Sequence, residues 1–139
     1  MICVGLDFPL GTTIEVYIEL IENINADYFK LNPAFNPSLV KEVARELVQR
    51  NKKWIYDGKI GDVHHTNEAY AKYVYEDLNA NGCTLNPYVG FDALKCFLPK
   101  GSILWCKTIN NKVLIGLKND VDIEFILKQL NSVYLILNP

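Results

Sequence analysis

Hydrophobic and polar positions along the chain follow two alternating periods. Short runs rich in β-branched and aromatic residues carry period two, and between them lie stretches with apolar side chains at helical spacing. The first run predicts a strand over residues 2–6. A helix is expected over 13–23, with Ile14, Tyr17, Ile18 and Ile21 on one face and Thr12 or Thr13 as its cap. A second strand at 27–31 leads into a loop punctuated by Pro33 and Pro37, then a helix over 37–49 capped by Asn36. Further strands are predicted at 53–57, 83–86, 102–107, 112–117 and 133–137, with helices at 66–78, 91–97 and 121–130. A tight turn at Asn110-Asn111 precedes the strand at 112–117. Strands alternating with helices imply a parallel sheet with right-handed crossovers, in a barrel or a doubly wound sheet. No glycine-rich dinucleotide fingerprint follows the first strand, which weakens the second option.

Length sharpens this picture. The 139 residues contain no linker, repeat or low-complexity tract and fit a single α/β domain spanning 1–139. A complete eight-stranded barrel usually takes about 250 residues. At 139 residues a barrel would be a shortened TIM-type one of about seven parallel strands, incompletely closed. Its first and last strands form unpaired edges that approach imperfectly or are covered by a partner subunit. The net charge of -2 and a pI ≈ 5.6 leave no basic stripe for nucleic acid. Apolar runs are short and broken by charge, so no membrane span is expected. Met1 leads directly into the first strand with no signal peptide ahead of it, and the expected location is cytoplasmic. Cys3, Cys83, Cys96 and Cys106 have neither Cys-x-x-Cys nor zinc spacing and read as buried reduced thiols.

The chemistry lies at the C-terminal ends of the strands, the end that carries the active site in α/β barrels. The first strand ends in Asp7. Lys30 and Asn32 share one face of the second, and Asp57 and Lys59 share one face of the third. A surface pair at one strand end is common and contributes little. Three successive strands ending in charges that can point inward are another matter, because a buried lysine is costly unless paired. An alternating Lys–Asp network would supply that pairing.

The segment Asp57-Gly58-Lys59-Ile60-Gly61-Asp62, followed by Thr66 at the start of a helix, resembles the signature of the orotidine 5′-phosphate decarboxylases. Gly5-Leu6-Asp7, Lys30-Leu31-Asn32, Leu85-Asn86-Pro87-Tyr88-Val89-Gly90-Phe91-Asp92 and Cys106-Lys107-Thr108 fit the same family in the same order. They resemble its longer, bacterial-type branch. The resemblance implies decarboxylation of orotidine 5′-monophosphate to uridine 5′-monophosphate, without cofactor or metal. The ammonium of Lys59 would stabilise the carbanion at C6 and donate the proton. Asp57 would lie against the substrate carboxylate and aim Lys59, and Lys30 would complete the pairing and reach the ribose. Asp7 would accept a bond from a ribose hydroxyl, Asn32 would add a polar contact, and Thr108 would touch the pyrimidine. Asp62 and Thr66 would reach the neighbouring site of a homodimer.

His64-His65 departs from the family, and two adjacent imidazoles make a poor chelate, so solvent-exposed loop residues are expected. Beyond Thr108 the connection is short, Val113-Leu114-Ile115-Gly116 resembles the family's sixth strand, and the glycine-rich phosphate loop, eighth strand and phosphate-binding arginine have no counterpart. Arg45 and Arg50 lie on the second helix, and Lys118 lacks the bidentate fork of an arginine. A weakened phosphate site is the expectation. Two other readings remain open: a nucleotide-binding or assembly module without turnover, and a sugar-phosphate keto-acid decarboxylase with the same Asp-x-Lys-x-x-Asp motif and a strand-end magnesium.

Overall fold

The computed structural model describes residues 2–86, 89–100, 104–107 and 114–117. Strands β1 (Cys3–Gly5), β2 (Tyr28–Leu31), β3 (Trp54–Ile60) and β4 (Gly82–Leu85) form one sheet in sequence order. All three pairings are parallel, with Gly5 beside Lys30 and Lys30 beside Ile55. Helices α1 (Ile14–Asn23), α2 (Val40–Gln49) and α3 (His64–Lys72) are the crossovers. A 3-10 turn, Pro37–Leu39, precedes α2, and the π-helical turn Tyr73–Asp77 extends α3. Helix α4 (Phe91–Leu94) runs on into the 3-10 stretch Lys95–Lys100. No helix among the described residues is long and apolar enough to cross a membrane.

Period two decides which way each strand faces. Leu6, Phe29, Leu31, Trp54 and Tyr56 point to the helical layer and are buried. Tyr17 and Ile21 of α1 and Val43 and Leu47 of α2 meet them there. Each of these large side chains contributes roughly 1.5–3 kcal/mol by leaving water. Arg50, closing α2, ties that helix to α1 through Glu22 at 2.8 Å and also pairs with Glu46. The opposite face of the sheet carries Cys3, Asp7, Lys30 and Asp57. Cys3 is accordingly exposed and Cys96 half-buried, against the expectation of buried thiols, whereas Cys83 faces the helices and is buried.

The parallel succession holds through β4. The next strands, β5 (Leu104–Lys107) and β6 (Leu114–Leu117), pair with each other in antiparallel register, Leu104 opposite Leu117 and Lys107 opposite Leu114. The connector, residues 108–113, is far shorter than the dozen or so residues that a parallel crossover needs. Leu114–Leu117 is thus the return arm of a hairpin and not a sixth parallel strand. β5 lies beside β4. The turn at Asn110-Asn111, Lys118, the helix expected at 121–130, the strand at 133–137 and the edge it would form lie outside the described residues.

Candidate active site

The ends of β1, β2 and β3 bring four charged residues into one chain of ion pairs. Lys30 Nζ lies 3.2 Å from Asp7 Oδ2 and 2.6 Å from Asp57 Oδ2. Lys59 Nζ lies 2.7 Å from Asp57 Oδ1. Charges alternate from Asp7 through Lys30 and Asp57 to Lys59, as the strand ends predict. Exposure changes along the array: the Asp57 side chain is 7% exposed and that of Lys59 55%, so a dry carboxylate stands behind an ammonium presented to solvent.

Burial pushes the Asp57 carboxyl up, but hydrogen bonds from Lys30, Lys59 and Thr84 outweigh it and hold the group below the ordinary carboxylate range. Burial likewise pushes Lys30 down, and Asp57 and Asp7 together outweigh it, so its ammonium is held above the ordinary lysine value.

Strand parity brings Asp57 and Lys59 together only in part. β3 is irregular between Tyr56 and Ile60, where Tyr56 pairs with Cys83 but Ile60 pairs with Leu85. The extra residues bulge, and Lys59 takes a left-handed backbone with φ 49°. Such a conformation in a non-glycine residue costs on the order of 1–3 kcal/mol and persists only where its surroundings enforce it. Gly58 permits the bulge: a Cβ there would fall 2.3 Å from Tyr56 Cε1.

Two residues missed in the sequence complete the site. Thr84 of β4, buried, donates from Oγ1 to Asp57 Oδ1 at 2.9 Å and accepts the Lys59 N–H at 2.8 Å. Its place in a short apolar strand gave no sign of this. Asn67 of α3, fully buried, fixes the loop after β3: its Oδ1 accepts the Asp62 N–H, and its Nδ2 donates to Asp62 O and Ala93 O. The signal for it was an amide one residue past Thr66, on the helical stretch.

Asn32, Asp62 and Thr66 lie outside this chain of ion pairs. Asn32 Oδ1 accepts the Ala34 N–H at 2.9 Å, closing a local turn, so that oxygen is not aimed at the charges. Asp62 Oδ1 accepts the neighbouring Val63 N–H at 2.7 Å, at the edge of an open depression it shares with Val63, His64 and Asp92. Thr66 is half-buried in the first turn of α3, which starts two residues earlier than expected, at His64. His64 and His65 are exposed as expected, but on that turn and not in a loop, with His64 Nε2 3.4 Å from Glu68. Thr108 lies outside the described residues. Among the described residues no three His, Cys, Asp or Glu side chains converge as a metal-ligand set.

A sequence model of the "Orotidine 5'-phosphate decarboxylase / HUMPS family" matches residues 1–103. The chain belongs to this family. An orotidine 5'-phosphate decarboxylase of Dehalococcoides mccartyi is 34% identical over 127 residues, covering 79% of this chain and 47% of the relative. One from Roseiflexus sp. is 48% identical over 59 residues, 40% of this chain and 22% of that one. Among solved structures, Leishmania donovani OMP decarboxylase superposes with a TM-score of 0.66 at 34% identity, covering 76% of this chain and 48% of that one. This member of the orotidine 5'-phosphate decarboxylase / HUMPS family thus spans about half the length of the curated relatives it matches. Its fold is the α/β barrel architecture of those structures, and β1 to β4 with their helices are consecutive βα units of it.

Proposed function

We propose that this chain carries the decarboxylation site for orotidine 5′-monophosphate, converting it to uridine 5′-monophosphate in de novo pyrimidine synthesis. One observation carries the reading: the Asp7–Lys30–Asp57–Lys59 array, with the Lys59 ammonium at its exposed end. The substrate carboxylate sits against Asp57. Carbon dioxide leaves with C6 of the pyrimidine holding the bond's electron pair, the ammonium of Lys59 stabilises that pair, and one of its protons is delivered to C6. No electron sink is required, because the charge is met by a fixed cation. Asp57 serves chiefly to aim Lys59. Lys30 and Asp7 take the ribose hydroxyls, Asn32 contributes through its amide nitrogen, and Thr108 meets the pyrimidine.

Asp62 and Thr66 reach the site of a second subunit in a cytoplasmic homodimer. Support for this comes from Asp62, whose side chain, among the described residues, accepts the N–H of the following residue and takes no part in the array of its own chain. The family relatives named here are decarboxylases of the same nucleotide, which favours it over a sugar-phosphate keto acid.

The test follows the loss of the substrate's ultraviolet absorbance with the purified chain in excess EDTA. Conversion in EDTA is the expected result. Conversion that appears only when magnesium is restored points to the keto-acid chemistry, and ligand binding without conversion points to a binding module.

A further inference from the structure

We propose that Thr84 is a positioning residue for decarboxylation, locking Lys59 and Asp57 to each other through its single hydroxyl; this rests on the function proposed above. The hydroxyl closes a ring. Lys59 meets Asp57 Oδ1 through Nζ at 2.7 Å, Thr84 Oγ1 meets the same oxygen at 2.9 Å, and the Lys59 N–H meets Thr84 Oγ1 at 2.8 Å. The backbone and the ammonium of one lysine are thus both referred to one carboxylate oxygen.

The direction of the bonds follows from the donors. A backbone N–H can only donate, so Thr84 Oγ1 accepts from Lys59 and its own proton is left for Asp57. Asp57 Oδ1 therefore receives two donors, Thr84 and Lys59, and carries no proton, while Oδ2 receives the Lys30 ammonium, so the group is a carboxylate. The hydroxyl selects the charged form of Asp57, and it fixes the backbone N–H of a residue held at φ 49°. Thr84 is 5% exposed and Asp57 6%, so water does not readily replace either bond. A neighbouring strand thereby supplies the constraint that a left-handed lysine needs.

Replacing the hydroxyl by a methyl, in Thr84→Val, keeps the shape and removes both bonds. The Lys59 backbone then loses its acceptor, relaxes toward the extended region, and carries Nζ away from Asp57. A hydrogen bond to a charged group corresponds to a fall in kcat of about ten- to a hundred-fold. KM should change by less than about three-fold, since Thr84 is buried and its hydroxyl is taken up by Lys59 and Asp57. Carbon-13 NMR of the labelled Asp57 carboxyl should show its titration midpoint moving upward. Thr84→Ser, which keeps the hydroxyl, should restore both readouts. If valine at position 84 prevents folding, Thr84→Ala carries the same prediction without the added methyl.

Wild-type kcat with an unmoved Asp57 titration in Thr84→Val, or a rise in KM alone, overturns the proposal. If the wild-type chain converts no substrate, the function proposed above fails separately. The NMR titration still decides whether Thr84 controls the carboxylate.

Discussion

Lys30→Met tests the ion-pair array as a source of stability as well as chemistry. Methionine keeps the length and the apolar stem of lysine, so little cavity is created, and the change removes one ammonium from between two carboxylates. The pair with Asp7 is part-exposed, at 27% and 34%, and its loss costs about 0–1 kcal/mol. The bond to Asp57, at 2.6 Å, is the larger contribution. Stripping a buried charge of its partner costs about 3–5 kcal/mol when nothing replaces it. Here Lys59 and Thr84 still hold Oδ1, and only Oδ2 is orphaned. The loss is then closer to one charge-assisted hydrogen bond, and the total comes to about 1.5–4 kcal/mol.

The pH dependence has a definite sign. The folded-state pKa of Asp57 is depressed, so its contribution is present above the unfolded value of about 3.9 and is lost as pH falls through the folded value. That of Lys30 is raised, so its contribution is complete below about 10.4 and is lost as pH rises through the folded value. Urea unfolding of the two proteins should therefore differ most between about pH 5 and 9, and converge as acid protonates Asp57. A variant as stable as wild type at neutral pH, or a difference that persists unchanged into acid, would falsify this account of the array.

Two further outcomes follow from particular contacts. Gly58→Ala forces a methyl to within 2.3 Å of the Tyr56 ring, which is itself packed edge-on against Tyr73, and should destabilise the chain by about 1–3 kcal/mol in urea titration; unchanged stability would mean that the bulge does not need glycine. Alkylation of the native protein near neutral pH, read by peptide mass spectrometry, should label exposed Cys3 and spare Cys83, whose thiol burial pushes up to about 12. Equal labelling of the two would contradict the burial of β4 against the helices.

Much of this architecture is legible in the sequence because period two and helical spacing report which face of each element is buried. Phe29 and Leu31 point to the helices, so Lys30 between them has to point the other way, beside Asp7 and Asp57. Periodicity carries no information about a backbone that leaves its period. The bulge at Gly58 and Lys59 is such a place, and its cause lies in a contact with another strand. Short polar side chains are ambiguous for a related reason, since they bond to whichever backbone group is nearest. Asn36 stands at the cap position before Pro37–Leu39 but makes no cap bond; its amide donates to Phe8 O, Pro9 O and the Tyr17 hydroxyl, where burial makes an unmet acceptor costly. The antiparallel return of β6 was implicit in the short connector before it. The likeness of Val113-Leu114-Ile115-Gly116 to a barrel strand reflects its apolar residues, which suit either direction of pairing.

The most direct test of the central claim is release of labelled carbon dioxide from carboxyl-labelled orotidine 5′-monophosphate, measured for the wild-type chain and Lys59→Ala in parallel. Circular dichroism should show that both are folded. The account predicts release by the wild type and none above the uncatalysed background by the variant. Equal release by the two proteins would contradict it, because the chemistry would then not depend on the ammonium to which the whole array leads.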